Sequence, residues 1–411
     1  MKGALDWVVA YSIAILGGLF VVRAFLGVGI FVYGIPTAIL AGVGAIRITK
    51  YKQRIPRPVS FYFGGWVLFI GWLLLSTLWK IRGIGSQQEF ILLIVMLGVG
   101  LAVLLSLSWR AVQRLVPALY VIGFSVAVFV LVRYAQAGSL RGYGNVLGDQ
   151  YLVVARILGL GTVAASLRLL TSEKRPMYLW IIALTTLVAL AMSLARGALL
   201  STLGILLLVG LFLSIRMETR QENIWVWLWS RMKKVALGAG VFVLIGGLVA
   251  VALQVERTAR RLRRMFYGNE LGAGGRGALW FTSLENITQA PILGYGLGSS
   301  GVMAGAYEGY YPHNLLLQAW LDGGVVAFLL LFSLVLFPFL LSFWHLFAGR
   351  LQSNSWIPSL GLFLFLVLEY SKSINFYSGR LLLVMSIVAV WGVCSAVEES
   401  GISPTEAKAS S

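Results

Sequence analysis

His313 stands in Tyr311-Pro312-His313-Asn314, at the mouth of a strongly apolar run. A histidine there is suited to general-base work, because imidazole titrates near 6.5 before its surroundings act on it. A lone polar histidine is more often structural, and position alone does not separate the two. The other histidine of the two, His345, lies beside Trp344 near the far end of the same run and reads as an interface residue.

Arginine is the second chemical resource. Arg276 sits in Gly272-Ala273-Gly274-Gly275-Arg276-Gly277. Glycines let a backbone approach a ligand closely, and guanidinium grips phosphate oxygens with two parallel bonds. Ala278 to Thr288 reads as a helix, whose N-terminus favours an anion. Arg196, in Ser193-Leu194-Ala195-Arg196-Gly197-Ala198, falls at the junction of two apolar runs with almost no loop between them. An arginine so placed is either an interfacial anchor or lines a cavity that binds an anion. Arg141 and Arg156 flank Gly148-Asp149-Gln150-Tyr151. Arg156 lies inside an apolar run, so it must face protein, water or a lipid phosphate, with Asp149 a candidate partner. Arg257, Arg260, Arg261 and Arg264 recur at i, i+3, i+4 and i+7 and share one helix face. That stripe can rest on anionic head groups or dock a phosphorylated acceptor.

Acidic residues are scarce and scattered: Asp6, Asp149 and Asp322 are the only aspartates, and no Asp-x-Asp pair occurs. Clustered carboxylates are the usual means of holding a divalent cation. The expectation is therefore phosphate chemistry carried by arginine, with no metal and no cofactor.

These residues need a scaffold, and its composition is plain. Of 411 residues, 59% are hydrophobic and 12% charged. A soluble domain of this size cannot cover so much apolar surface, so the class is a polytopic all-α integral membrane protein. The net charge of +18 is then read as lysines and arginines fixing orientation, not as a nucleic-acid surface. Cys394 is the only cysteine and lies in an apolar run, which excludes an internal disulfide. Apolar runs at 4–22, 26–46, 60–78, 90–108, 115–132, 151–170, 178–194, 198–215, 235–254, 324–346, 355–370 and 380–397 predict about twelve transmembrane helices.

The connections set the orientation. With the N-terminus inside, the inside loops take Arg47, Lys50, Lys52, Arg54 and Arg57, then Arg110, Arg114, Arg168, Lys174 and Arg175, and later Arg216, Arg220, Arg231, Lys233 and Lys234. The short outside connections, over which the rule is counted, hold far fewer cations, so both termini are expected to be cytoplasmic. The predicted organisation is transmembrane helices 1–9 in residues 1–254, an outside loop at 255–322, transmembrane helices 10–12 in 323–397, and a disordered cytoplasmic tail from 398 to 411. Segment 216–234, with Trp225, Trp227 and Trp229 beside charged residues, reads as an interfacial cytoplasmic helix.

The whole pattern resembles the O-antigen ligase family of the WaaL type, within the larger ligase/polymerase superfamily. His313-Asn314, nine further residues and Gly324 match its ligase motif, while Ala327 departs from the Gly, Thr or Tyr preferred three residues later. Gly275 to Trp280, followed by Pro291-Ile292-Leu293-Gly294-Tyr295-Gly296, is similar to the superfamily's loop signature, and Ser193 to Leu199 to its Ser-Arg-Gly stretch. The resemblance implies a GT-C-like, metal-independent glycosyltransferase in the bacterial inner membrane, with one large helical periplasmic loop between spans 9 and 10 facing the chemistry to the periplasm. Its donor would be a glycan on undecaprenyl pyrophosphate and its acceptor the outer-core sugar of lipid A–core, with His313 serving the acceptor hydroxyl. Arg196 and Arg276 would hold the donor pyrophosphate, with Arg141 and Arg156 as weaker candidates. Arg257, Arg260, Arg261, Arg264 and Asn314 would serve the acceptor. The rivals are an O-antigen polymerase or a protein O-oligosaccharyltransferase using the same donor, and, from another class, a non-catalytic transporter of the lipid-linked glycan. Short outer connections such as 133–150 favour the ligase over the polymerase.

Overall fold

The structure is a computed structural model. It describes residues 2–26, 34–80, 87–136, 151–172, 176–193, 195–218, 276–306, 311–351, 353–373 and 379–400. Among the described residues the secondary structure is helical, without strands. In chain order the helices are α1 (Lys2–Leu26), α2 (Gly34–Tyr51), α3 (Arg57–Leu75, prolonged by a 3₁₀ turn at Ser76–Trp79), α4 (Gln87–Ser106), α5 (Trp109–Gln136), α6 (Tyr151–Thr171), α7 (Met177–Met192) and α8 (Arg196–Glu218). After them come α9 (Arg276–Gln289), α10 (Ser300–Met303), α11 (Leu315–Phe347), α12 (Ile357–Ser373) and α13 (Arg380–Glu399).

Each apolar run expected to span falls on one of these helices, except 235–254, which lies outside the described residues. Among the described residues six stretches are long and apolar enough to cross a membrane: Arg57–Trp79, Gln87–Ser106, Trp109–Gln136, Tyr151–Thr171, Leu315–Phe347 and Arg380–Glu399. Three of the others fall short for visible reasons. The α7 helix has 16 residues, α12 carries Glu369 and Lys372 within its 17, and α2 carries Arg47 and Lys50. A multi-pass membrane protein follows from these helices.

The chain forms two compact units, one of Met1–Leu16, Ile30–Arg114 and Arg263–Ser411, the other of Gly17–Gly29 and Leu115–Leu262. The first is arranged around α13, whose side chains are nearly all buried and which packs against α3, α4, α11 and α12. At one end of this unit Asp6 is buried, pairs with Arg47 and accepts from Ser108 Oγ at 2.6 Å. Arg114 approaches the same carboxylate at 3.7 Å and stacks over the Trp7 ring. This knot joins α1, α2 and the start of α5. Arg47, expected in an inside loop, is thus a buried ion-pair partner, and one oxygen-rich acid offsets its desolvation.

The second unit is arranged around α6, packed against α7 and α8. Gly123 of α5 and Gly161 of α6 meet backbone to backbone: a Cβ built on either would fall 2.6–2.7 Å from the other's Cα. Small residues allow that approach, which maximises van der Waals contact where lipid offers no hydrophobic drive. Thr162 donates to the Thr186 hydroxyl at 3.0 Å between α6 and α7.

One helix breaks the pattern. Hydropathy alone suggested that α11 starts at residue 324, but it begins at Leu315, capped by Asn314, whose Oδ1 accepts from the Leu316 and Leu317 amides at 3.0 and 3.1 Å. It then breaks at Gly324, where φ is 69° and ψ −166°. The polar residues Gln318 and Asp322 therefore lie inside the helix, fully buried.

Candidate active site

The break in α11 is built by a second stretch of chain. Pro291 to Gly296 runs past it, and the two backbones bond across: Tyr295 N donates to Leu321 O at 2.7 Å and Val325 N to Pro291 O at 2.9 Å. Gly294 and Gly324 both have positive φ, and a Cβ on Gly324 would lie 1.9 Å from Ile292 O. Only glycine fits either point. The glycine that completes the ligase motif is therefore the residue at which the helix opens. Ala327, the departure from the motif, is fully buried one turn later, and a Cβ on Gly323 would come within 2.6 Å of its own Cβ. The crowding favours a small residue at that place.

Carbonyls near the break find indole donors. Trp72 Nε1 donates to Gly323 O at 2.7 Å, Trp79 Nε1 to Leu293 O at 3.0 Å, and Trp320 Nε1 to Pro291 O at 3.0 Å. Each such bond contributes about 1 kcal/mol. Irregular backbone at membrane depth persists only where its polar groups are met in this way. Asp322, read from sequence as one of several scattered acids, accepts from the Ser300 amide at 2.7 Å and ties α10 to α11.

On this frame sit His313 and Arg276. Arg276 opens α9 and is exposed; the helix starts two residues earlier than expected and takes the arginine into its first turn. One turn on, Trp280 Nε1 donates to Pro312 O at 2.8 Å, joining α9 to the residue before His313. His313 is half-buried, has φ 54°, and its ring lies 4.3 Å from that of Tyr311. Left-handed backbone at a non-glycine residue is strained and is held by its surroundings. Burial, and then the nearby Arg276 charge, push the imidazole down to about 4. It is therefore neutral at pH 7 and able to accept a proton. Asn286 Nδ2 fastens the far end of α9 to Met303 O at 2.8 Å, and Tyr295 Oη donates to Asn286 O at 2.9 Å. Burial raises the Tyr295 phenol, which stays protonated as that bond requires.

The structure thus brings Arg276, His313 and Asn314 together in the first unit. Asn314 spends its side-chain oxygen on the helix cap, leaving its Nδ2 group as the available donor. Arg156 and Arg196 belong to the second unit: Arg156 is buried in α6, and Arg196 is the first residue of α8. Arg141, Asp149, Arg257, Arg260, Arg261 and Arg264 lie outside the described residues, as do Gly272 to Gly275. Among the described residues no group of three or more His, Cys, Asp or Glu converges as a metal site. Trp280 and Tyr311 were missed from the sequence. Trp280 stands four residues after Arg276, a spacing that puts both on one side of α9, and this was the available signal.

Residues 181–332 match the family model described as O-antigen ligase. That window takes in Arg196, Arg276, His313, Asn314 and Gly324 and leaves out Arg141 and Arg156. A protein of Rickettsia felis named "Putative polysaccharide ligase" is 24% identical over 287 residues, covering 66% of either chain. One of Rickettsia conorii with the same description is 25% identical over 289 residues, covering 66% of this chain and 65% of its own. The chain thus spans slightly under two thirds of the length of these curated relatives. The match of residues 181–332 to that family model bears out the resemblance carried by His313-Asn314 and Gly324.

Proposed function

We propose that this protein transfers a glycan from a polyprenyl pyrophosphate donor to a sugar hydroxyl of lipid A–core, on the periplasmic side of the inner membrane and without a metal. The observation that carries this reading is the Trp280 bond to Pro312 O, which ties the helix opened by the exposed Arg276 to the residue before His313. The acceptor oxygen attacks the anomeric carbon and its proton passes to the imidazole. The bond from that carbon to the pyrophosphate oxygen breaks, and polyprenyl pyrophosphate leaves. Attack from the opposite face inverts the centre; retained configuration in the product's NMR spectrum would exclude it.

Arg276 supplies positive charge where the leaving group gathers negative charge, an effect worth most in a water-poor site. Arg196 is assigned to the same pyrophosphate, with Arg141 and Arg156 in support, and the 257–264 arginines with Asn314 to the acceptor. Donor binding also tunes the base. Pyrophosphate beside Arg276 cancels part of the charge that depresses His313, so its pKa rises towards the ordinary value once the donor is seated. Basicity then arrives together with the substrate.

The test is transfer by purified protein in vesicles, with lipid-linked donor offered alongside lipid A–core or a second lipid-linked glycan. Product on the core supports the ligase; longer lipid-linked chains point to a polymerase, and no covalent product to a transporter. Full activity in EDTA is expected, and a strict requirement for added Mg²⁺ or Mn²⁺ contradicts the metal-free chemistry.

A further inference from the structure

Helix α9 has two apolar sides, and the packing of the protein uses only one. Ser283 and Ile287 are buried towards α10 and α11. On another side Phe281 is 73% exposed and Leu284 51%, and the stripe runs on into Ile292 at 65% and Leu293 at 46%. Phe281 and Leu284, three residues apart, share one side of the helix, and Ile292 and Leu293 follow in the turn after it ends at Gln289. Glu285 and Gln289 are exposed beside it. A water-facing loop helix does not carry such a stripe without something to cover it.

What covers it follows from its continuation. Leu293 O accepts the indole of Trp79, the last residue of the candidate span Arg57–Trp79. Leu75 and Leu78 on that span are themselves exposed, at 47% and 78%. The Trp79 bond therefore sets Leu293 and Ile292 against the end of that apolar span. Trp72, Trp79 and Trp320 gather at the same level, and tryptophan is the residue that marks the boundary between head groups and acyl chains. The geometry points to α9 lying on the bilayer as an in-plane helix, with Phe281, Leu284, Ile292 and Leu293 seated in the acyl boundary. Arg276, at i−4 and i−8 from Trp280 and Leu284, is then held at the height of lipid phosphates, where its side chain can snorkel. For the transfer reaction, and resting on the reading above, this brings the guanidinium to a lipid-borne pyrophosphate without the donor leaving the membrane.

The test is nitroxide depth measurement on the full-length protein in phosphatidylethanolamine/phosphatidylglycerol vesicles. Leu284→Cys, Ile292→Cys, Glu285→Cys and Gln289→Cys are each labelled in a Cys394→Ala background, and Phe281→Cys stands in for Leu284→Cys should that variant not fold. Labels at 284 and 292 are expected to collide with oxygen several-fold more, relative to a water-soluble nickel chelate, than labels at 285 and 289. Equal nickel access at all four positions overturns the proposal, because the stripe then faces water. Low access to both reagents at 284 and 292 also overturns it, because protein then covers the stripe. The measurement needs no turnover, so it stands or falls apart from the ligase reading.

Discussion

The two units solve the same problem, polar backbone in an apolar setting, in opposite ways. Around α6 the helices are unbroken, satisfy their own carbonyls and meet through Gly123 and Gly161. Around the break in α11 the ladder is interrupted, and indoles together with a second stretch of backbone make up the lost bonds. Regular packing gives rigidity cheaply but places no reactive side chain away from a helix surface. The interrupted helix costs more to build, and it presents His313 and Arg276 at a fixed spacing. The proposed chemistry sits where helical regularity is given up.

The sharpest way to test this contrast is to remove the base from the irregular region. His313→Ala is expected to lower transfer about 10²–10⁴-fold while the melting temperature and donor binding hold. Arg276→Ala does the reverse, weakening donor binding first, and Arg276→Lys restores it only in part for want of the planar fork. An unchanged rate in His313→Ala removes the case for chemistry at the break.

Next in size is the break itself. Gly324→Ala places a Cβ 1.9 Å from Ile292 O at a positive φ, and a loss of about 3 kcal/mol or more is expected from strain and overpacking together. Gly204→Ala, on α8 of the regular unit, meets nothing within 4 Å and should stabilise by roughly 0.5–1 kcal/mol. Thermal melts of the two solubilised variants read the difference directly. Similar losses at both sites would erase the distinction between the units.

A smaller effect tests positioning. Trp280→Phe keeps the ring and deletes the bond to Pro312 O, a loss of about 1 kcal/mol. The expected result is a several-fold drop in kcat with little change in donor KM, and a pH profile displaced because Arg276 and His313 no longer hold their spacing. A KM effect alone would make Trp280 a mere packing residue. The subtlest prediction concerns protonation in the intact protein. Only neutral imidazole accepts a proton, so kcat/KM should stay level as pH falls from 8 and drop near the free-enzyme value of about 4. With donor bound, the pKa rises and kcat should fall at higher pH than kcat/KM. Coincident profiles would show that pyrophosphate does not reach the Arg276–His313 pair.

Much of this was legible in the sequence where one residue type dominates. Apolar runs locate the helices because a helix in lipid has no other composition open to it. What they cannot show is a helix made partly of buried polar residues. Gln318 and Asp322 interrupt the apolar pattern over the first turns of α11, although Asn314 ahead of three leucines was a readable cap. Asp-Gly-Gly at 322–324 carried the break, but the stretch that packs against it lies some thirty residues upstream and no local pattern pairs them. His313, Arg276 and Gly324 were found by spacing and family motif; spacing puts Trp280 on the side of Arg276 but does not encode its bond to Pro312 O, nor the contact of Tyr311 with His313.

The paired amides at Tyr295–Leu321 and Val325–Pro291 tie the chain into a lariat, with His313 on its loop and Gly324 at the knot. Closing that loop is settled during folding, so in the proposed reaction the acceptor meets an imidazole whose search in space is already over.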